Sequence, residues 1–279
     1  MTDSFGQTTT DMSVCTIVVS YEPDVDQLSR LCRELEKQSQ YLIDDNGSDP
    51  RLVAGIEDCL TAHGHLLSLA GNRGIAAAQN AGVEYAEQLA TKPRYFLFLD
   101  QDSMPGDDLV ASLRREYERV KNLDPTVAAI GPALLDVRSQ QLLSLHQELL
   151  GFYIKRRIKP GQKMKQYKVA SINSSGTFLD ASALEKIGPF LESLFIDHVD
   201  TEWSHRARHL GYSLYVSTGV VLDHEMGRGL EKIWILGSQH FPSRAPLRHY
   251  YLFRNNVYLL SEPQMSRTWK SWSVLKLLF

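Results

Sequence analysis

Cysteine is scarce in this chain of 279 residues: Cys15, Cys32 and Cys59 are widely spaced, odd in number and form no CxxC pair. That scarcity argues against both a disulfide framework and a zinc site, and it fits a reducing compartment. No run approaches the ~18 consecutive apolar residues needed to span a bilayer. The opening MTDSFGQTTTDMS lacks the basic start and apolar stretch of a secretory signal, so the expected location is the cytoplasm. A surplus of positive charge is missing too. The 30 Lys and Arg stand against 33 Asp and Glu, a formal net charge of −3. No global field is available to attract nucleic acid, and none is expected as a partner. Internal repeats and low-complexity tracts are absent.

What is present is ample apolar content, 43%, arranged in a repeating grammar. VCTIVVS (14 to 20) is a continuous β-branched run that reads as a strand buried on both faces. After Pro23 and Asp24, a helical start signal, Val25, Leu28, Leu31, Cys32 and Leu35 share one face at helical spacing. The pattern then recurs: strand YLID, turn, helix 51 to 62; strand HLLSLA, loop GNRG, helix 75 to 89; strand RYFLFLD, loop, helix 107 to 121. Successive β-α units predict an α/β fold with a mostly parallel sheet and helices on both faces. Ligands of such sheets gather where the strands' carboxyl ends lead into helices, a rim that holds Tyr21, Asp45, Asn72 and Asp100. From about residue 127 the rhythm breaks into shorter pieces. The basic segment IKRRIKPGQKMKQYK (154 to 168) reads as a solvated loop, and a last helix is expected around 246 to 260.

The motif FLFLDQDSM runs an apolar strand into Asp100 and Asp102. A single carboxylate at a strand end is often the cap of the next helix. Two explanations compete for the pair: ligation of a hard cation that in turn holds a phosphate-bearing substrate, or the covalent nucleophile of a phosphatase whose first strand ends in D-x-D. Three strands precede this one, each with its own polar rim loop, which favours the cation and a nucleotide-like ligand. GNRGIAAAQNAG lacks G-x-G and so does not read as a dinucleotide fingerprint.

Eight ordered blocks carry a resemblance: VVSYEP (18 to 23), DDNGSDP (44 to 50), GNRGIAAAQNAG (71 to 82), FLDQDS (98 to 103), SSGTFL (174 to 179), FIDHVDTEWSHRA (195 to 207), DHEMG (223 to 227) and RHYYLFRNN (248 to 256). Over about residues 14 to 260 the chain resembles family 2 inverting glycosyltransferases, and their bacterial rhamnosyltransferase branch in particular. The resemblance implies a GT-A-like, Rossmann-type domain over 13–262, with a nucleotide-sugar half (13–130) and an acceptor half (131–262). An N-terminal arm (1–12) and a C-terminal tail (263–279) flank it. It implies L-rhamnose transfer from dTDP-β-L-rhamnose to a hydroxyl of a glycan or lipid-linked glycan, with Mg²⁺ or Mn²⁺ as cofactor. A UDP-hexose donor and a non-catalytic nucleotide-sugar-binding subunit stand as the alternatives.

The same resemblance distributes roles by position. Ser20, Tyr21, Asp45, Asn72, Gly74, Asn80, Asp100, Gln101 and Arg254 fall on the donor. Asp102 and His224 fall on the metal. Ser175, Gly176, Asp197 and Glu202 fall on the acceptor. Asp200 aligns with the catalytic base, although Val199 replaces the usual preceding Glu, which leaves Asp197 as a second candidate. A base is wanted because a sugar hydroxyl is a poor nucleophile at neutral pH. The basic segment and the tail RTWKSWSVLKLLF suggest the inner-membrane surface as a further partner.

Overall fold

The computed structural model describes residues 10–158, 165–224, 230–234, 238–242 and 246–277. In chain order the elements are β1 (Asp11–Ser20), α1 (Val25–Glu36), β2 (Ser39–Asp45), α2 (Pro50–Cys59), β3 (Gly64–Ser68), α3 (Ile75–Ala86), β4 (Tyr95–Asp100) and α4 (Leu109–Leu123). Then follow β5 (Val127–Asp136), β6 (Gln141–Leu142), β7 (Leu145–Leu149), β8 (Phe152–Arg156), β9 (Gln166–Lys168), β10 (Phe178–Asp180) and α5 (Ala181–Ile187). The chain continues through α6 (Val199–His209), β11 (Ser213–His224), β12 (Leu230–Trp234), β13 (Ser238–Pro242), α7 (Pro246–Ser261) and α8 (Arg267–Leu277).

The four β-α units form as their patterns dictate. Asp24 caps α1 by accepting from the Gln27 backbone N–H, and Asp49 caps α2 with Pro50 in its first turn. The main sheet runs β3-β2-β1-β4-β10-β5-β11-β9, with β6 added beside β5. β1 to β4 are mutually parallel, and β5 and β11 are parallel to each other. β10 is antiparallel to both of its neighbours, β4 and β5. Side chains on opposite faces of β1 feed two cores: Val14 and Val18 pack with α1 and α4, Cys15 and Ile17 with α3 and α6.

Several boundaries differ from expectation. β1 begins at Asp11, inside the expected arm, because Asp11 pairs with Ser39 across a register shift; residues 1–9 of that arm lie outside the described residues. Helices α2 and α3 end at Cys59 and Ala86, three residues short of the expected limits. The basic segment is strand at both ends, in β8 and β9, and its residues 159–164 lie outside the described ones. The tail is not a free appendage over its described part, since α8 buries Trp269 against His198 and His205.

Candidate active site

The parallel register brings the strand ends level: Ser20 sits beside Asp45, and Val19 beside Asp100. At the far side of the sheet His224 ends β11, and a bridge between Met104 and Asp223 ties the loop after β4 to that strand end. The expected rim therefore exists. Gln101 clamps it, since its side chain accepts from the Tyr21 backbone N–H at 2.7 Å and donates to the Tyr21 carbonyl at 3.3 Å. Gln101 thus fixes the backbone at Tyr21. Asp45 is buried and accepts from the Ser48 hydroxyl and backbone N–H and from Ser20 at 3.4 Å. Asn72 accepts from Asn46 at 3.1 Å and from the Gly74 N–H at 3.0 Å, which joins the two neighbouring rim loops.

Asp100 and Asp102 come together with His224, Ser175 and Arg248. Burial pushes the Asp100 carboxyl upward and the charge of Asp102 adds to this, while His224, the Ser175 hydroxyl and Arg248 pull it back. Arg248, outside the expected donor and acceptor sets, also grips Asp197 at 3.2 to 3.3 Å. Asp200 lies in the first turn of α6. Its carboxylate accepts from the Thr201 backbone N–H at 2.7 Å and lies beside the Ser174 backbone. It borders a small cavity walled by Phe98, Phe190 and Trp203. Burial raises its pKa, the Thr201 and Ser174 contacts oppose that, and the charge of Asp197 raises it further. Ser174 and Ser175, adjacent in the chain, therefore touch the base candidate and the donor-side acid respectively.

Five expected site residues do other work. Asn80 spends its amide on the loop before α6, donating to the Phe190 carbonyl and Glu192 and accepting from the Phe190 N–H at 2.8 Å. Glu202 is buried in a forked ion pair with Arg206, both contacts at 2.9 Å, and Arg206 in turn donates to the Ile187 and Pro189 carbonyls. Gly176 is buried at positive φ, and a side chain there would meet Pro132 at 2.6 Å, so its role is close packing. Gly74, also at positive φ, makes its close approach to Phe195 rather than to a ligand space. Arg254 stacks on Tyr251 and donates to Ser193 and Asn255.

Two contributors lie outside the expected site residues. Asn255 is fully buried and donates to the carbonyls of Leu194, Ile196 and Asp197 at 2.8 to 2.9 Å. It braces a loop in which Phe195, Asp197 and His198 all have positive φ. Asp44, beside Asp45 but on the opposite face of β2, is fully buried with neither carboxylate oxygen hydrogen-bonded. The doubled Asp was its only sequence signal.

The glycosyl transferase family 2 model matches residues 13–188. The dTDP-rhamnosyl transferase RfbF of Shigella flexneri is 29% identical over 250 residues, covering 89% of this chain and 80% of that one. Among solved structures, GalNAc-T7 with UDP, GalNAc and Mn²⁺ is similar at TM-score 0.60 and 13% identity, over 95% of this chain and 54% of that one. S. aureus TarS is similar at TM-score 0.50 and 15% identity, over 96% of this chain and 43% of that one. The chain thus spans about half the length of these two solved proteins, which share its GT-A fold. With the strand order, the acidic rim and a family match over most of its length in agreement, the chain belongs to glycosyl transferase family 2.

Proposed function

We propose that this glycosyltransferase moves L-rhamnose from dTDP-β-L-rhamnose to a hydroxyl of a glycan acceptor, with inversion, and that Asp200 is its base. The observation that carries the reading is the Ser174–Ser175 step, which sets the Asp100 carboxylate and the Asp200 carboxylate at the two ends of one dipeptide. A donor on the rim would then have an acid facing the sugar from each side. Of the two base candidates, Asp197 is neutralised by Arg248, whereas burial raises the basicity of Asp200. The likeness to a dTDP-rhamnosyl transferase supports the donor.

Asp102 and His224 would hold a divalent ion. Among the described residues no group of three or more Asp, Glu, His or Cys side chains is placed to hold a metal ion. A carboxylate and an imidazole beside the rim fit Mg²⁺ or Mn²⁺, which commonly takes one or two protein ligands and completes its shell with phosphate oxygens and water. Such an ion supplies Lewis-acid stabilisation of the departing diphosphate. Around it this chain's own residues act: Gln101 fixes the rim at Tyr21, the Ser175 hydroxyl stands beside Asp100, and Asp200 accepts the acceptor hydroxyl's proton.

The test is a melting panel of dTDP-rhamnose, dTDP, UDP-glucose, UDP-GlcNAc and GDP-mannose with and without Mn²⁺, alongside Asp200→Asn turnover. Stabilisation by the dTDP compounds alone, greater with metal, is expected. Asp200→Asn is expected to lose about 10² to 10⁴ in transfer rate with nucleotide binding intact. Normal turnover in that variant removes Asp200 from the reaction, and a UDP-only response replaces the donor.

A further inference from the structure

The hairpin of β7 and β8 ends in a turn whose composition the folded chain does not explain. Leu149 pairs directly with Phe152, so Leu150 and Gly151 form a two-residue loop, with φ of +51° and +80°. Both central residues of such a turn require positive φ, and Asn or Asp before Gly is the usual solution. A leucine there is conformationally disfavoured. It gains nothing from packing in return: Leu149, Leu150 and Phe152 are 52%, 89% and 70% exposed. An unfavourable backbone and three large apolar side chains in water need a partner that rewards them.

The surroundings say which partner. Glu148, at the base of the turn, accepts from Arg208 at 2.8 Å and from Ser266, which seats the start of α8 beside the tip. Trp272 then lies against Tyr153 further along the same hairpin, with ring centres 6.3 Å apart. The sequence of α8 contains Arg267, Lys270 and Lys276 and no acid, and on the hairpin itself Lys155 stands three residues behind Phe152, opposite His146, with Lys276 near the same histidine. In a chain of net charge −3 this is a local concentration of cations behind an apolar point. Three side chains are too few for a protein interface of ~1,000 Å² or more. They suit shallow insertion below lipid headgroups, with flanking cations held at an anionic surface.

We infer that the β7–β8 hairpin tip inserts into an anionic bilayer surface, with Lys155 and the cations of α8 behind it facing the headgroups. This goes beyond the glycosyl-transfer reading and does not depend on it.

Flotation of the full chain with phosphatidylcholine vesicles, with and without phosphatidylglycerol, tests it. Binding is expected only with phosphatidylglycerol and should weaken as salt is raised. The double substitution Leu150→Ser with Phe152→Ser should weaken vesicle binding roughly tenfold to hundredfold at an unchanged melting temperature. Leu150→Trp should shift its emission to the blue on the same vesicles. Equal binding by the double variant, or equal binding to both lipid mixtures, overturns the inference. So does sedimentation showing that the double substitution abolishes self-association while vesicle binding is absent in the parent chain, since the tip would then contact a second copy.

Discussion

Asp44 shows how much one side chain can set. Burial pushes its pKa up to about 7, the charge of Asp45 adds to the rise, and Arg73 offsets part of it. A group whose folded pKa exceeds its unfolded value binds protons more tightly in the native state, so folding stability falls as pH climbs from about 4 to 7. Asp44→Asn should therefore raise stability at pH 8 by on the order of a few kcal/mol and change little at pH 4, as chemical denaturation at the two pH values would report. Equal effects at both would mean that the carboxylate is solvated in the native state. The site acids give a second prediction. Because the charge of Asp197 helps to raise Asp200, Asp197→Asn should move the acid limb of the transfer rate to lower pH, measured as a kcat profile. At this scale the sequence was informative about which residues gather at the strand ends and poor about where their hydrogen bonds go. Asp100, Asp102 and His224 do converge, because strand ends are legible as apolar runs meeting acids. The protein partners of Asn80 and Glu202 were not legible, because an amide or carboxylate looks the same whether its partner is a ligand or a loop 110 residues away.

Helix α7 acts as a brace for the acidic loop. Each non-glycine residue held at positive φ costs of order 1 to 3 kcal/mol, and the loop carries Phe195, Asp197 and His198 in that region. It stays in place because the helix over-determines it: Tyr251 stacks on Phe195 with ring centres 4.7 Å apart, Arg248 holds Asp197, and Asn255 binds three consecutive-loop carbonyls. Asn255→Asp would aim a carboxylate at those carbonyls. The expected result is a loss of roughly 3 kcal/mol or more. The transfer rate should fall further than nucleotide affinity does, because the rim proposed for the nucleotide is built on β1, β2 and β4. Denaturation, calorimetric titration of dTDP and steady-state kinetics on the one variant decide this, and equal losses in rate and affinity would refute the brace. The helix itself was legible at 246 to 260, whereas its grip on residues some 60 positions earlier was not, since side-chain spacing reports a face and never its partner.

For the whole molecule, the parallel half was readable because hydrophobic period and turn chemistry agree over four successive units, while β10 was not, being three residues long and paired with strands far away in sequence. The stacked rings between the β7–β8 hairpin, α6 and α8 add a global response to acid. Burial lowers His146 and His205 to about 4, with nearby cations adding to the fall, and the folded state then resists protons that the unfolded chain accepts. Stability should decline as pH drops from about 6.5 towards 4, by about 1.4 kcal/mol per histidine per pH unit. A His146→Phe, His205→Phe double variant should flatten the decline, and an unchanged slope in urea titrations would assign the acid loss elsewhere. The insertion of β10 between β4 and β5 carries its own consequence for biosynthesis. A ribosome that has released only the first hundred and thirty or so residues has made β4 with no neighbour on its outer side, and β5 lacks the strand that joins it to β4 until Phe178 emerges. Such a nascent chain presents an open, apolar strand edge, the kind of surface that invites aggregation or chaperone capture.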